Sequence, residues 1–543
     1  MHSHQYTIGK YLYSRLEQLG LGHIFGVPGD YIFDLLHLVP ESGIKYIGTC
    51  NELNAGYAAD AYARFKGIGA VLVTYAVGGL SVVNAIAGAF AEKIPVIIIS
   101  GGPELSAYDK QPQKHHILGD YSIPSEIFKK ITVASACLLN PKQAPAIIDE
   151  LLSKCMQYKQ PVYIEIPCDI VHYPCGLPDD RVFLHFPLSD PNVIENAVES
   201  TVALLQNSTK PVIIVGNEVQ RYGLQREVEK LIENSGFPFS IFITDKTTLS
   251  EEHPQFIGSC GPGIRMNDNV KHYIEQSDCL LCLGSIMGSH LSTCMDNLNI
   301  DKQILAFDHK VQIQGSIHAV NLHSFIATLN KYFENHTKSH AQSNWNIKKS
   351  TELFDSKSTK KITNEKVFDR IGVLLKDDDI LIVDTGSSLL TARSIFMPQK
   401  TIFLSQSYYA SIGYSLAAVL GAALANPTRK IYVVIGDGAF QFTCQELSTL
   451  IKHGLTPTIF LINNFGYTIE RALHKDATYN DIQAWKHYKL PEIFGGTEGY
   501  EVNTEEDLEK AIIWSEENQS LSLIEIYLDK LDYPADLATM LEP

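Results

Sequence analysis

Two apolar segments in the last third of the chain each end in polar residues that can bind a metal ion. Ile431–Ile435 is rich in β-branched residues and leads into a Gly-Asp-Gly triplet centred on Asp437, and Thr458–Ile462 leads into an Asn-Asn pair that ends at Asn464. The amphipathic stretch Gln441–His453 lies between them. The pattern predicts a strand, a helix and a second strand.

Parallel strands of such a unit end at the same edge of the sheet, so the Asp437 carboxylate and the Asn464 amide are predicted to converge. Oxygen ligands of this kind suit Mg²⁺, which completes its coordination with phosphate oxygens and water. The glycines beside Asp437 allow backbone N–H groups to approach a phosphate at a helix N-terminus. We therefore predict a site for Mg²⁺ and a diphosphate, named here the diphosphate clamp, at Asp437 and Asn464.

The sequence that continues from the second strand, NNFGYTIE, resembles that of the 2-oxo acid decarboxylases that use thiamine diphosphate, of the pyruvate, indolepyruvate, phenylpyruvate and branched-chain types. A Gly-Asp-Gly turn alone is more often a plain loop, but GYTIE and matching motifs over nearly the whole chain favour the family. The resemblance implies thiamine diphosphate and Mg²⁺ as cofactors. It implies that Asp437, Asn464 and Gly466 hold the metal, and that the cofactor also contacts Gly438, Ala439, Tyr467, Thr468 and Ile469.

Length and composition limit the other possibilities. The 543 residues predict about three domains, and 45% apolar with 19% charged residues is typical of a soluble globular protein. A formal charge of -17 argues against a nucleic-acid surface and against adhesion to anionic membranes. The ten cysteines show no framework, and no targeting pattern or membrane-spanning run is apparent, so we expect a cytoplasmic protein with free thiols. The CxxC pair of Cys279 and Cys282 lies in a buried-strand pattern and is not expected to bind metal.

The first predicted domain, residues 1–185, alternates strands and helices, which favours a doubly wound parallel sheet. Asp30, Glu52 and Thr74 fall at the carboxyl ends of its strands, where ligands bind in such sheets. From the sequence alone, Glu52 is equally well explained as a carboxylate favoured at a helix N-terminus. The family resemblance implies instead that Glu52, in NELNAGYAADAYAR, hydrogen-bonds the aminopyrimidine ring of the cofactor and promotes removal of the thiazolium C2 proton.

His115 and His116 follow a polar segment without apolar periodicity, Glu104–Lys114. A loop histidine is usually only solvated, but KHHILGDYS resembles the paired histidines of the decarboxylases. With Asp30 they are predicted to transfer protons near neutral pH.

The second predicted domain, residues 190–340, again alternates strands and helices. Its glycine-rich stretches GSCGPG and GSIMGSH do not match the dinucleotide-binding pattern, so we expect the fold without a dinucleotide, in a structural or regulatory role. A polar linker, 335–365, leads into the third domain, residues 360–543. The predicted fold class is α/β, with three doubly wound parallel-sheet domains of the thiamine diphosphate enzyme type.

The third domain carries two more motifs of the family. Thr385 follows a predicted strand and is expected at the diphosphate, and Ala410, Ser411 and Ile412 match the family's GSIG. The resemblance implies that Ile412 holds the cofactor in a bent conformation and that the carbonyl of residue 410, commonly a glycine, accepts from its 4′-amino group. Glu470 is expected over the reacting carbon.

These observations predict a decarboxylase that converts a 2-oxo acid to an aldehyde and CO₂, with Glu470, Asp30, His115 and His116 as its acid–base groups beside Glu52. The family implies a homodimer with shared active sites, assembled as a dimer of dimers. Two alternatives remain open, a carboligase of the acetohydroxyacid synthase type and a non-catalytic binding protein on the same fold.

The substrate prediction rests on the residues after Thr385. Leu389 and Leu390 occupy positions where pyruvate-type enzymes place large aromatic residues, while Ile469 and Leu473 are expected on the opposite wall. Each substrate methylene that fills the extra room contributes roughly 0.8 kcal/mol. We therefore predict a branched or linear aliphatic 2-oxo acid of intermediate size, with pyruvate, indolepyruvate and phenylpyruvate as alternatives. The alternative explanation is that the leucines are ordinary core residues.

Overall fold

The computed structural model describes residues 6–179, 184, 189–260, 268–285, 303–334, 357–474 and 477–533. In these ranges the strands are β1 (His23–Gly26), β2 (Lys45–Gly48), β3 (Gly69–Val73), β4 (Val96–Gly102), β5 (Ala134–Cys137), β6 (Val162–Pro167), β7 (Pro211–Val215), β8 (Phe239–Phe242), β9 (Phe256–Cys260), β10 (Cys279–Leu283), β11 (Gln303–Phe307), β12 (Lys310–Ile313), β13 (Ser316–His318), β14 (Ile380–Val383), β15 (Ile402–Leu404), β16 (Ile431–Gly436), β17 (Thr458–Asn463), β18 (Tyr500–Val502) and β19 (Ser522–Tyr527).

The α-helices in the same ranges are α1 (Ile8–Gln18), α2 (Phe33–Leu38), α3 (Glu52–Lys66), α4 (Val77–Ala91), α5 (Leu105–Lys110), α6 (Ile123–Phe128), α7 (Ala144–Tyr158), α8 (Pro191–Gln206), α9 (Asn217–Arg221), α10 (Gln225–Ser235), α11 (Asp268–Glu275), α12 (Leu322–Glu334), α13 (Asn364–Leu374), α14 (Ser387–Ala392), α15 (Tyr414–Ala425), α16 (Asp437–Thr443), α17 (Glu446–Lys452), α18 (Thr468–Leu473), α19 (Leu490–Ile493) and α20 (Glu505–Glu517). None of these helices is both long and apolar enough to cross a bilayer.

Three sheets flanked by helices confirm the predicted α/β class. The first sheet has the order β2-β1-β3-β4-β6-β5 and the third β15-β14-β16-β17-β19-β18, and the strand pairs in both are parallel. Their inner strands read as continuous apolar runs because they are buried on both faces. The second sheet, β13-β12-β11-β10-β7-β8-β9, differs from the expectation, since β12 and β13 form an antiparallel edge.

The first and third sheets share one hydrophobic core, whereas the second sheet has its own apolar clusters. Helices α3 and α15 bring the two sheets together because both are rich in small residues. A Cβ atom at Gly421 of α15 would overlap the carbonyl oxygen of Ala58 on α3, so this crossing requires a glycine.

Several predictions concern the second domain and the limits of the domains. Cys279 and Cys282 are buried in β10, which confirms the buried-strand interpretation. Most of the GSIMGSH stretch, part of GSCGPG and residues 335–356 of the linker lie outside the described residues. The domain limits 1–185, 190–340 and 360–543 stay predictions.

Candidate active site

Asp437 and Asn464, the predicted clamp residues, follow the carboxyl ends of two neighbouring strands. Strands β16 and β17 pair in parallel with Gly436 opposite Ile462, so Asp437 and Asn464 follow at one edge of the sheet. Asp437 is the first residue of α16, four positions before the predicted helix start, and it is only 1% exposed. The helix also breaks after Thr443, where Gln441–His453 was predicted as continuous.

Backbone donors fix the Asp437 carboxylate. The N–H of Gly438 donates to Oδ1 at 2.9 Å and the N–H of Gly466 donates to Oδ2 at 3.0 Å. Burial raises the pKa of Asp437 to about 6, against these bonds and the nearby His487, which lower it. A cation bound beside a buried carboxyl group held in this way strongly stabilises its ionised form.

Asn464 offers the second ligand. Its side chain is 3% exposed, and its Oδ1 is buried without a hydrogen-bond partner among the described residues. A buried amide oxygen left without a donor is costly, and Mg²⁺ bound beside Asp437 would satisfy it. The residues present therefore fit the cation and diphosphate that the sequence predicts.

The loop between Asn464 and α18 is held by a residue that sequence analysis missed. Arg471 is 4% exposed and donates to the carbonyl oxygens of Asn464, at 2.8 Å, and Phe465, and to the carboxylate of Asp481 at 2.7 Å. Gly466 has a φ of 138°, and a Cβ there would overlap the carbonyl oxygen of Asn480. The glycine of NNFGYT is thus required by both its backbone conformation and its surroundings.

The other clamp residues predicted from the family lie around this loop. Tyr467 packs on Gly438, so closely that a Cβ there would overlap its ring. Ala439 follows in the first turn of α16 and is buried. Thr468 is buried and its hydroxyl donates to the carbonyl of Lys530 at 3.1 Å, so this side chain serves the fold.

A second turn of the third domain lies at the end of β14. Asp384, fully buried, accepts from the N–H of Gly413 at 3.0 Å and of Ser415 at 2.8 Å, and burial raises its pKa to about 6. These bonds tie the Ala410–Ile412 turn to the strand that precedes Thr385. Sequence analysis did not assign this role to Asp384, although its place before Thr385 at a strand end is a signal for it.

The Ala410–Ile412 turn also contacts the first domain. The Ser411 hydroxyl lies 2.6 Å from the Tyr57 hydroxyl and accepts from Asn84 Nδ2 at 2.9 Å. Ala410 has a φ of 59°, the left-handed region in which glycine is favoured. The conformation explains in physical terms why a glycine is common at this position of the motif.

The first-domain residues of the predicted site meet at the edge of the first sheet. Glu52 begins α3, is half-buried and hydrogen-bonds Ser81, and burial raises its pKa. Its carboxylate lies over Gly78 next to Thr74, whose hydroxyl is buried without a partner among the described residues. A carboxyl group whose pKa is raised by burial is a feature of functional sites.

Asp30, His115 and His116 are brought together as predicted. His115 Nε2 lies 2.6 Å from an Asp30 oxygen, and one ligand-type atom from each of the three residues falls within 4.8 Å of the others. Tyr31 stacks on His115 with ring centroids 4.9 Å apart. His116 has a φ of 67°, and its Nδ1 is buried without a partner among the residues described.

Glu52 and the third domain of the same chain lie on opposite faces of α3. Glu52 and Gly56 face α4, since a Cβ at Gly56 would overlap Ala85. Asn54 and Tyr57, on the other face, bond to Glu446 and Ser411 of the third domain. The hydrogen bonds of Glu52 and of Asp437 are each made within their own domain.

The predicted substrate-pocket residues differ in exposure. Leu389, on α14, is 3% exposed and packs in a core cluster of the third sheet, so its assignment to the pocket wall is wrong for this chain. Leu390, the next residue on α14, is partly exposed. On α18, Ile469 is half-buried, Glu470 is exposed and Leu473 is 52% exposed, so these three line an open face beside the clamp.

Three family models match the chain, namely the N-terminal TPP binding domain of thiamine pyrophosphate enzymes over residues 6–122, their central domain over 198–325 and their C-terminal TPP binding domain over 384–526. The chain is 35% identical to pyruvate decarboxylase 1 of Pisum sativum, over 98% of this chain and 92% of the relative. It is 33% identical to pyruvate decarboxylase of Kluyveromyces lactis, with 98% and 97% covered, and 32% identical to alpha-keto-acid decarboxylase of Mycolicibacterium paratuberculosis, with 99% and 96% covered.

Proposed function

From the premise that this chain belongs to the thiamine diphosphate-dependent 2-oxo acid decarboxylases, we propose that its preferred substrates are branched or linear aliphatic 2-oxo acids of intermediate size. The enzyme is a carboxy-lyase, and its products are CO₂ and an aldehyde. The observation that carries the proposal is that Leu390 on α14, which follows a strand end of the same sheet as Asp437, is partly exposed and aliphatic.

The chain's own residues would hold the cofactor and its metal. Asp437 and the orphaned Oδ1 of Asn464 would bind Mg²⁺, with the backbone carbonyl at Gly466 as a third ligand, while Thr385 and the Ala410–Ile412 turn contact the cofactor. Bound thiamine diphosphate supplies the nucleophilic carbon and the electron sink for the electrons that CO₂ leaves behind. The protein orients this chemistry and moves the protons.

Proton transfer would use groups of both domains. Glu52, whose pKa is raised by burial, would hold and move a proton at the bound cofactor. His115 Nε2 and an Asp30 carboxylate oxygen lie 2.6 Å apart, with His116 beside them. These residues would transfer the protons that release of the aldehyde requires. Glu470, exposed on α18, would stand over the reacting carbon and control loss of CO₂ and the protonation that follows.

The size preference follows from α14 and α18. Leu390 on α14 and Ile469 on α18 are partly exposed aliphatic residues, and the side chain of each is smaller than an aromatic ring. Apolar room beside the reacting carbon favours substrates with additional methylenes, at roughly 0.8 kcal/mol each.

The active site would be shared between two chains of a homodimer, with a dimer of dimers as the full assembly. The support is that Glu52 faces away from the third domain of its own chain. Large apolar side chains are also exposed near the predicted site residues of both domains, at Val77, Leu118, Phe442 and Leu473. Exposed apolar clusters of this kind mark interaction surfaces. The described cysteines form no disulfide with one another, which suits the cytoplasmic location that we also propose.

A second candidate is pyruvate decarboxylation, which the names of two of the relatives favour. A series of 2-oxo acids from pyruvate through 2-oxobutanoate and 2-oxohexanoate to indolepyruvate separates the two. We expect kcat/KM to rise by up to a few fold per methylene in the aliphatic series. If pyruvate is turned over more efficiently than every longer acid, the size proposal fails, and an acetolactate product would favour the carboligase alternative.

A further inference from the structure

Glu165 is a buried carboxylate in a place where an apolar residue would suit the core. It lies on β6, it is fully buried, and burial raises its pKa. Its described partners are neutral donors, the hydroxyl of Tyr108 at 2.7 Å, the hydroxyl of Tyr163 at 2.6 Å and the thiol of Cys137. Burying a carboxyl group costs free energy and adds little to the stability of the fold. The role of Glu165 is therefore better explained by the residues that it hydrogen-bonds.

One of these partners belongs to the segment that carries the histidine pair. Tyr108 lies on α5, and residues 104–122, named here the histidine segment, include His115 and His116. The Tyr108 hydroxyl reaches Glu165 only because residue 102 on β4 is a glycine, since a Cβ there would overlap the hydroxyl oxygen. The other partner, Tyr163, lies on β6 itself and has no part in the segment.

Aromatic contacts continue from Tyr108 to His115. The ring of Tyr108 lies 5.5 Å from that of Tyr121, whose hydroxyl donates to the carbonyl of Pro112 at 2.6 Å. The Tyr75 hydroxyl donates to the carbonyl of Tyr121 at 3.0 Å. Tyr75 in turn packs edge-on against Tyr31, with centroids 5.8 Å apart, and Tyr31 stacks on His115.

We propose that Glu165 and Tyr108 are positioning residues, which fix the histidine segment to the first sheet and so set where His115 and His116 stand relative to Asp30. The inference rests on the proposed role of the histidine pair in proton transfer. Neither Glu165 nor Tyr108 is expected to touch substrate or cofactor.

Two matched variants separate positioning from general stability. Tyr108→Phe and Tyr163→Phe each remove one hydroxyl from the same carboxylate, but only the first removes a bond to the histidine segment. In the full chain loaded with thiamine diphosphate and Mg²⁺, we expect Tyr108→Phe to speed amide hydrogen exchange in residues 105–116 about tenfold, since a hydrogen bond to a carboxylate is lost. We expect kcat to fall about fivefold with KM changed less than twofold, because the histidines act after substrate has bound.

Tyr163→Phe should lower Tm by about as much as Tyr108→Phe does. It should leave the amide exchange of the histidine segment and kcat within twofold of the values for the unmodified enzyme. Equal effects of the two variants on segment exchange would overturn the proposal. Faster exchange in Tyr108→Phe with full kcat would leave positioning supported and would refute instead the role of the histidine pair in turnover.

Discussion

At the scale of single residues, the site depends on polar groups that the fold leaves ready for a ligand. Asp437 is buried next to an amide oxygen without a donor, and Thr74 presents a buried hydroxyl without one. Such groups raise the energy of the ligand-free protein and are satisfied on binding. The cofactor and metal should therefore stabilise the folded chain by mass action.

Replacing Asp437 by alanine should abolish cofactor retention. The change removes one of two side-chain ligands and leaves the diphosphate without its metal, so we expect loss of at least tenfold in affinity for Mg²⁺ and thiamine diphosphate. Dialysis followed by quantification of bound cofactor measures this directly. The far-ultraviolet circular dichroism of the variant should stay unchanged, and a variant that keeps stoichiometric cofactor and full activity would refute the clamp.

A glycine substitution tests the loop beside Asn464. In Gly466→Ala the new Cβ would overlap the carbonyl of Asn480 at a φ of 138°, so the loop must shift and the metal affinity should fall at least tenfold. Gly495→Ala is the matched control, since Gly495 also has a positive φ, 88°, but has open space around it. The control should lower Tm slightly and bind Mg²⁺ normally. Similar metal affinities for both variants would count against the proposed loop geometry.

At the scale of elements, we propose that α14 determines which substrate side chains fit. Leu390→Trp should fill the space beside the clamp and shift the preferred chain length toward pyruvate, lowering the ratio of kcat/KM for 2-oxohexanoate to that for pyruvate about fivefold or more. Val373→Trp, at a 51% exposed position of α13, is the control for adding an indole to this domain. An unchanged ratio in Leu390→Trp would remove α14 from the pocket.

Strand periodicity predicted the position of the clamp because parallel strands with polar ends impose one geometry. It did not predict that α16 starts at Asp437 or that it ends at Thr443. The helix starts at Asp437 because of the backbone conformation of the folded loop, which the apolar periodicity does not encode. Burial of Leu389 also escaped prediction, because adjacent apolar residues on a short helix point to different sides. Arg471 was missed because its partners are backbone carbonyls, which leave no pattern in a sequence.

At the scale of the whole molecule, complementation between chains tests the shared site. Inactive Glu52→Gln and Asp437→Ala chains, mixed under conditions of subunit exchange, should recover about a quarter of the activity, since half of the dimers are mixed and each contains one intact site. A mixture of Asp437→Ala with Asn464→Ala is the control, because both defects lie in the third domain, and it should recover nothing. Absence of recovery in the first mixture, with exchange verified, would mean that each chain builds its own site.

The junction of the three domains predicts a pH dependence of stability. Asp245 of the second domain is 5% exposed and lies near Arg221 of its own domain and Glu92 of the first domain. Two residues later, the Thr247 hydroxyl accepts from the N–H of Phe403 in the third domain. Burial raises the pKa of Asp245 from 3.8 to about 7. Its contribution to stability is therefore fully present below pH 4 and is lost as the pH rises through 7.

Asp245→Asn keeps the neutral shape of this side chain at every pH. We expect the cofactor-free variant to gain a few degrees of Tm relative to the unmodified protein between pH 5 and pH 8, corresponding to at most about 3 kcal/mol. Thermal unfolding monitored by circular dichroism at the two pH values measures the difference. An equal change of Tm with pH in the two proteins would mean that Asp245 does not titrate in this range.

The core shared by the first and third sheets also determines when the chain can finish folding during synthesis. The apolar face of α3 is completed by α15, which the ribosome makes more than three hundred residues later, after the whole second domain. The second domain carries its own apolar clusters and can fold while translation continues, but the first domain must wait with its Ala-rich helix face exposed. A nascent chain of this design spends much of its synthesis needing protection from aggregation, and its slowest folding step should be the closure of α15 onto α3.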